Sequence, residues 1–168
     1  FNRLNQQNII VPPSRTGQPK KQKFMGAYVK EPQVGMHEWV VSFDLNSLYP
    51  HLIMQYNISP ETSVESSDVT LSIDKMLNKE IDIQSHYATT PNGARFSKRK
   101  QGFLPEILEN LYDERVLWKN KMIEYQKEYE KTDDPRKKQD LNRDIAIAYN
   151  NQMVRKISLN SAYGAIGN

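Results

Sequence analysis

Three groups of residues in this chain have types and spacings suited to metal and phosphate chemistry. Asp44 ends the apolar run Trp39-Val40-Val41-Ser42-Phe43. A carboxylate fixed at the end of a strand is well placed to hold a cation, and it is equally suited to capping a following helix. Backbone N–H groups freed at that helix start, beside an acid, could hold a divalent cation and a phosphate together. Arg115 and Lys119 are four residues apart, so on a helix they share a face and can clamp a polyphosphate. A solvated basic face is the commoner meaning of such a pair. Lys156, Asn160 and Tyr163 fall within about 60° of one another at 100° per residue. That face offers a cation, an amide and an aromatic ring, although any amphipathic helix with a varied polar face reads the same way. Spacing alone does not link the three places.

Each group needs an element to position it. The run from Trp39 to Phe43 is β-branched and aromatic, which predicts a strand inside a sheet, buried on both faces. Pro50 suits the first turn of a following helix, with Leu52, Ile53 and Tyr56 at helical spacing until Asn57-Ile58-Ser59-Pro60 ends it. Ser72 is placed to cap a short helix through Asn78, and Asn92-Gly93 signals a hairpin turn between Tyr87-Ala88-Thr89 and Ala94-Arg95-Phe96. Beyond it, Pro105 fits a helix start, and apolar residues recur at Leu104, Leu108, Leu111, Trp118, Met122, Tyr125 and Tyr129. Thr132-Asp133-Asp134-Pro135 then predicts a turn that restarts a helix, with Asp134 as cap. The second helix carries Leu141, Ile145, Ala148, Tyr149 and Met153, with no breaker before Gly164. Two helices of roughly 25 to 30 residues joined by so tight a turn must lie antiparallel. The fold class is therefore α+β: a partial sheet-and-helix region over 1–102, then a helical hairpin over 103–168.

Composition narrows the classes. The 168 residues are 38% hydrophobic and 26% charged, which suits a globular chain with one core or two small ones. With no cysteine, disulfides, thiolate catalysis and sulfur-ligated zinc are excluded. No apolar run approaches the roughly 20 residues of a bilayer span, so no membrane role is expected. The net charge of +3 lies entirely in residues 1–102, which hold 12 basic and 9 acidic residues against 11 of each beyond. It gathers at Arg15, Lys20, Lys21 and Lys23 in a Pro-rich arm, and at Arg95, Lys98, Arg99 and Lys100. Phe1 in place of methionine suggests a piece of a longer protein.

The link among the three groups comes from a resemblance. Asp44-Leu45-Asn46-Ser47-Leu48-Tyr49-Pro50 resembles the D-x-x-S-L-Y-P motif of family B DNA polymerases. Lys156-Ile157-Ser158-Leu159-Asn160-Ser161-Ala162-Tyr163-Gly164 resembles their K-x-x-x-N-S-x-Y-G motif. Both match at every fixed position and in order. Gly26-Ala27-Tyr28-Val29-Lys30-Glu31-Pro32 and Asn57-Ile58-Ser59-Pro60-Glu61-Thr62 are similar to the tailed-bacteriophage branch, and the likeness is loosest over 57–102.

The resemblance implies that residues 1–102 are part of a polymerase palm and that the hairpin is the fingers. It implies that Asp44 is one of two aspartates holding a catalytic pair of magnesium ions, with the Leu45 carbonyl as a further ligand. Backbone N–H groups near Ser47 and Leu48 would meet the triphosphate, and Tyr49 would pack under the sugar and exclude a 2′-hydroxyl. Arg115, Lys119 and Lys156 would grip the phosphates with help from Asn160, and Lys156 would protonate the departing pyrophosphate. Tyr163 and Gly164 would contact the DNA at the nascent base pair. A hairpin that swings as a rigid body would bring the three cations onto a bound nucleotide.

The implied partners are primer–template DNA and deoxynucleoside triphosphates, in the cytoplasm of an infected bacterial host. His51 stands where the family most often has serine, and Phe24 where relatives often carry tyrosine. The D-T-D motif that supplies the second aspartate is absent, as are the preceding exonuclease domain and the rest of the palm with the thumb. The chain alone is therefore expected to be inactive. A subunit of a naturally split polymerase and a non-catalytic nucleic-acid-binding module are the competing readings. An adjacent reading frame carrying D-T-D would favour the split subunit.

Overall fold

A computed structural model describes residues 6, 8, 27–64, 72–80 and 86–167. The basic cluster at Arg15, Lys20, Lys21 and Lys23, and Phe24, lie outside the described residues. The chain divides into two units, Phe1–Ser42 and Phe43–Asn168.

In the first unit, residues 27–42 form neither helix nor strand. The strand expected over Trp39–Phe43 is not formed, which corrects the sequence reading. A strand buried on both faces needs backbone partners along its edges and a layer over each face. Among the described residues neither is supplied: Trp39 is 96% exposed and Phe43, which opens the second unit, 92%. Trp39 also takes φ 59°, outside the β region altogether.

The second unit is built on helices. α1 spans Leu48–Gln55 and buries Pro50 and Ile53. It ends at Tyr56, whose N–H reaches Leu52 O at 3.0 Å, and Asn57 then turns the chain away at φ 54°. Asparagine tolerates this left-handed position better than most residues, because its short side chain can hydrogen-bond locally. A single 3₁₀ turn, Pro60–Thr62, leads into β1, Ser63–Val64. α2, Ile73–Leu77, starts as expected at Ser72, whose hydroxyl accepts the Lys75 N–H at 3.2 Å.

β2, Tyr87–Thr89, and β3, Arg95–Ser97, form the expected hairpin. Gly93 sits at φ 86° with its N–H on Thr90 O, and Thr90 N–H bonds Ala94 O, both at 2.9 Å. That is a tight turn closed by a left-handed residue, the position glycine fills at least cost. β3 is central in a three-stranded antiparallel sheet of order β1-β3-β2, with Ser63 and Ala88 opposite Phe96 on either side.

The rest is the helical hairpin. α3 runs Phe103–Lys131, 29 residues, and α4 runs Pro135–Gly167, 33 residues. α4 passes through Gly164, further than expected; a single glycine costs a helix only about 1 kcal/mol. Asp134 caps α4 as predicted, its carboxylate accepting the Arg136 N–H at 2.9 Å. Of the apolar positions read for α4, Leu141 and Ala148 are buried in the seam, whereas Tyr149 is 47% exposed.

At the base of the hairpin α1, α3 and α4 meet. Ile53, Leu108 and Leu159, one from each helix, form the core, with Leu104, Leu111, Tyr112, Ala162 and Tyr163 packed around them. Higher up, Arg155 donates to Glu114 at 2.9 Å and lies 5.9 Å over the Trp118 ring, which Lys121 also covers at 4.8 Å. The Arg155 contacts tie α3 to α4. No helix among the described residues is long and apolar enough to cross a membrane.

Candidate active site

The mount of α3 fixes where the hairpin stands. Asn57 is 8% exposed and uses its whole amide: Nδ2 donates to Ser97 O at 2.6 Å and Lys100 O at 2.9 Å, and Oδ1 accepts the Gly102 N–H at 2.8 Å. Glu61 accepts the Phe103 N–H at 2.5 Å and the Ser59 hydroxyl at 2.7 Å, so it caps α3 from outside the helix. Desolvation pushes the Glu61 carboxyl up. The bonds from Phe103 and Ser59, its own N–H and the Lys100 charge together outweigh that and hold it below the ordinary value. At Gly102 an added Cβ would lie 2.6 Å from Ser59 Cβ, so this joint closes only on glycine.

This mount is the part of the site region that residue-by-residue reasoning missed. Asn57 to Thr62 read only as a helix stop and a point of family likeness. The available signal was Glu61, an acid just beyond the expected stop of α1. Its partner Phe103 is 42 residues away, and nothing local announces such a pairing.

Against this frame sits an open cleft of about 420 Å³, entirely within the second unit. Asp44, Leu45, Ser47, Leu48 and Tyr49 line it from the start of α1, with Phe43 and Pro50 beside them. Asn160 and Tyr163 line it from α4. The Tyr49 and Tyr163 rings stack with centroids 4.8 Å apart and planes 29° off parallel. The two motifs therefore meet across one cavity. Asp44 is exposed to it, a carboxylate open to solvent and to whatever the cleft admits.

Arg115 is not a lining residue, yet it reaches this cleft. Its Nη1 donates to Ser47 Oγ at 3.1 Å, while its Nε is buried without a partner. Ser47 is itself left-handed, φ 53° and ψ 43°, at the N-terminus of α1. Lys119 and Lys156 are exposed and lie outside the lining; among the described residues neither has an ion-pair partner. Of the face read as Lys156, Asn160 and Tyr163, only the last two enter the cleft. Gly164 is exposed, and a Cβ there would meet nothing within 4 Å.

The donors available to a cation are hard oxygens, the Asp44 carboxylate and the Leu45 carbonyl, a set suited to magnesium. Among the described residues no group of three or more His, Cys, Asp or Glu side chains could enclose a metal by itself. Any ion here would therefore need oxygens from its substrate or from further acids.

Comparison with known proteins shows the family. The profile of DNA polymerase family B matches residues 1–168. The chain is 28% identical to the DNA-directed DNA polymerase of Enterobacteria phage T4 over 205 aligned positions, covering 100% of this chain and 23% of that protein. It is 35% identical to the DNA-directed DNA polymerase of Escherichia phage RB69 over 76% of this chain and 14% of that one. A DNA polymerase delta catalytic subunit from Dictyostelium discoideum is 34% identical over 96% of this chain and 13% of its own length. The chain thus spans less than a quarter of the relatives it matches.

Proposed function

Because the chain belongs to DNA polymerase family B, as a segment of the phage type, we propose that it forms the nucleotide-binding part of a template-directed DNA polymerase. The observation that carries the reading is the single cleft in which Asp44, Ser47 and Tyr49 face Asn160 and Tyr163. Residues 1–102 act as part of the palm and residues 103–168 as the fingers.

In this reading the Asp44 carboxylate and the Leu45 carbonyl hold magnesium jointly with the triphosphate and an acid from elsewhere in the polymerase. Magnesium held there would supply charge neutralisation at the phosphates and would favour ionisation of the primer 3′-hydroxyl. Backbone N–H groups at Ser47 and Leu48, at the positive end of α1, donate to the triphosphate. Tyr49 presents its ring to the sugar and leaves no room for a 2′-hydroxyl.

Arg115, Lys119 and Lys156 gather on the β- and γ-phosphates as α3 and α4 move together, and Asn160 adds an amide contact. Lys156 gives its proton to the leaving pyrophosphate, which makes its charge useful twice. Tyr163 and Gly164 meet the nascent base pair, where the bare Gly164 surface leaves space for DNA. Primer–template DNA and deoxynucleoside triphosphates are the substrates, and the cytoplasm of an infected bacterium is the setting.

The test is primer extension by a complete polymerase carrying this segment. Asp44→Asn should abolish incorporation, and Tyr49→Ala should raise ribonucleotide use relative to deoxyribonucleotide use. Full activity in Asp44→Asn would refute the assignment of the acid. An unchanged sugar ratio in Tyr49→Ala would remove Tyr49 from beneath the sugar. This chain by itself, with one palm acid, should not extend a primer.

A further inference from the structure

We propose that His51 is a positioning residue for nucleotide binding, acting through Ser47 and Arg115. Its Nδ1 lies 2.9 Å from the Ser47 carbonyl oxygen, which the His51 backbone N–H also reaches, at 3.1 Å. A carbonyl oxygen has two lone pairs, so it can accept both donors at once when the ring carries its proton on Nδ1. His51 packs edge-on against Tyr112 with centroids 4.7 Å apart and planes at 83°. Tyr112 lies on α3 three residues before Arg115, on the same side of that helix.

These contacts form a closed circuit. His51 holds the Ser47 carbonyl, the Ser47 hydroxyl accepts from Arg115 Nη1 at 3.1 Å, and α3 carries Arg115 back to Tyr112 and so to His51. The circuit matters because Ser47 is left-handed, a conformation unfavourable for any residue other than glycine. Such a conformation persists only where its surroundings over-determine it. Ser47 makes no side-chain cap to α1, and its hydroxyl instead accepts from Arg115. The doubled hydrogen bond on its carbonyl is therefore what fixes the peptide that must aim at the phosphates. Without the imidazole, Ser47 can relax toward an ordinary helix start, and both the N–H cradle and the seat of Arg115 are lost together.

The inference rests on the nucleotide-binding reading above. It predicts a defect in affinity and not in chemistry, because His51 touches no reacting atom. The donor and the ring can be separated. His51→Asn keeps an N–H donor at nearly the Nδ1 position without the ring, and His51→Phe keeps a ring on Tyr112 without the donor. In a complete polymerase carrying this segment, His51→Phe should raise the KM for a deoxynucleoside triphosphate about fivefold to tenfold, the usual effect of losing one hydrogen bond. Its kcat should hold, and His51→Asn should restore most of the affinity.

Arg115→Ala is the control. If it raises KM while His51→Phe does not, the positioning role is overturned and the nucleotide site stands. If His51→Asn is as impaired as His51→Phe, packing on Tyr112 and not the Ser47 bond is what matters, which also overturns the proposal. If Arg115→Ala itself leaves KM unchanged, the site reading fails before His51 is reached.

Discussion

Trp39–Phe43 and Leu48–Gln55 are neighbours in sequence and similarly apolar, yet they end in opposite environments. The first is exposed and, among the described residues, unpaired, with Trp39 96% and Val41 70% accessible. The second is a helix whose Ile53 sits in a core shared with Leu108 and Leu159. The difference follows from where each finds its hydrogen bonds. A helix satisfies its backbone from within and needs only one packed face, which α3 and α4 provide. A strand draws every ladder bond from another segment, and an apolar strand needs two covered faces besides. Similar apolar content is thus enough for one element and not for the other.

The largest effect expected on this contrast comes from the packed side. Leu108→Ala should lower unfolding stability by about 2 to 5 kcal/mol, the range for emptying a buried leucine site. Urea denaturation followed by circular dichroism would measure it, and a loss below about 1 kcal/mol would mean the three-helix core is looser than its burial implies. Asp134→Ala should cost about 1 kcal/mol by freeing the Arg136 N–H. The same titration reads it, and an unchanged midpoint would show that the turn between the helices holds without its cap.

Glu61→Gln probes the mount, with an effect that depends on pH. The carboxyl titrates below its ordinary 4.5 in the folded chain, so its stabilisation is complete above that value. It is lost as pH falls through the lower folded value. Glu61 is exposed, so the contribution is small and screened by salt. The wild type should lose more stability than Glu61→Gln on going from pH 6 to pH 3, and parallel curves would remove Glu61 from the mount. The smallest effect belongs to Val41→Ser, which should shift stability by less than about 0.5 kcal/mol. A larger loss would mean that the exposed run has a partner in solution.

Much of this fold was legible because its signals are local. Asp134-Pro135 marks a helix start by capping and φ, Ser72 marks another, and Asn92-Gly93 marks a turn, each by chemistry confined to a few residues. Trp39–Phe43 misled because strand propensity describes what a segment suits and not whether partners are present. Periodicity placed Asn160 and Tyr163 on one helix face, but only motif likeness could join that face to Asp44 and Tyr49 in the lining of the cleft. The Asn57 and Glu61 networks and the His51 circuit were illegible for the same reason: their partners lie on other elements, and each contact depends on a single side chain.

The placement of the two tryptophans has a practical consequence. Trp39 stands in water, whereas Trp118 is half-buried on α3 between Lys121 and Arg155. The chain therefore carries two tryptophan fluorophores, one exposed and one half-buried. Emission from Trp39 should resemble that of free indole, and anything that covers the run should shift it toward the blue. Trp118 should instead answer to the registry of α3 against α4, because a slip between them would carry Arg155 off its ring. With Trp39→Phe and Trp118→Phe to assign each signal, the two regions can be followed separately in one cuvette without a label.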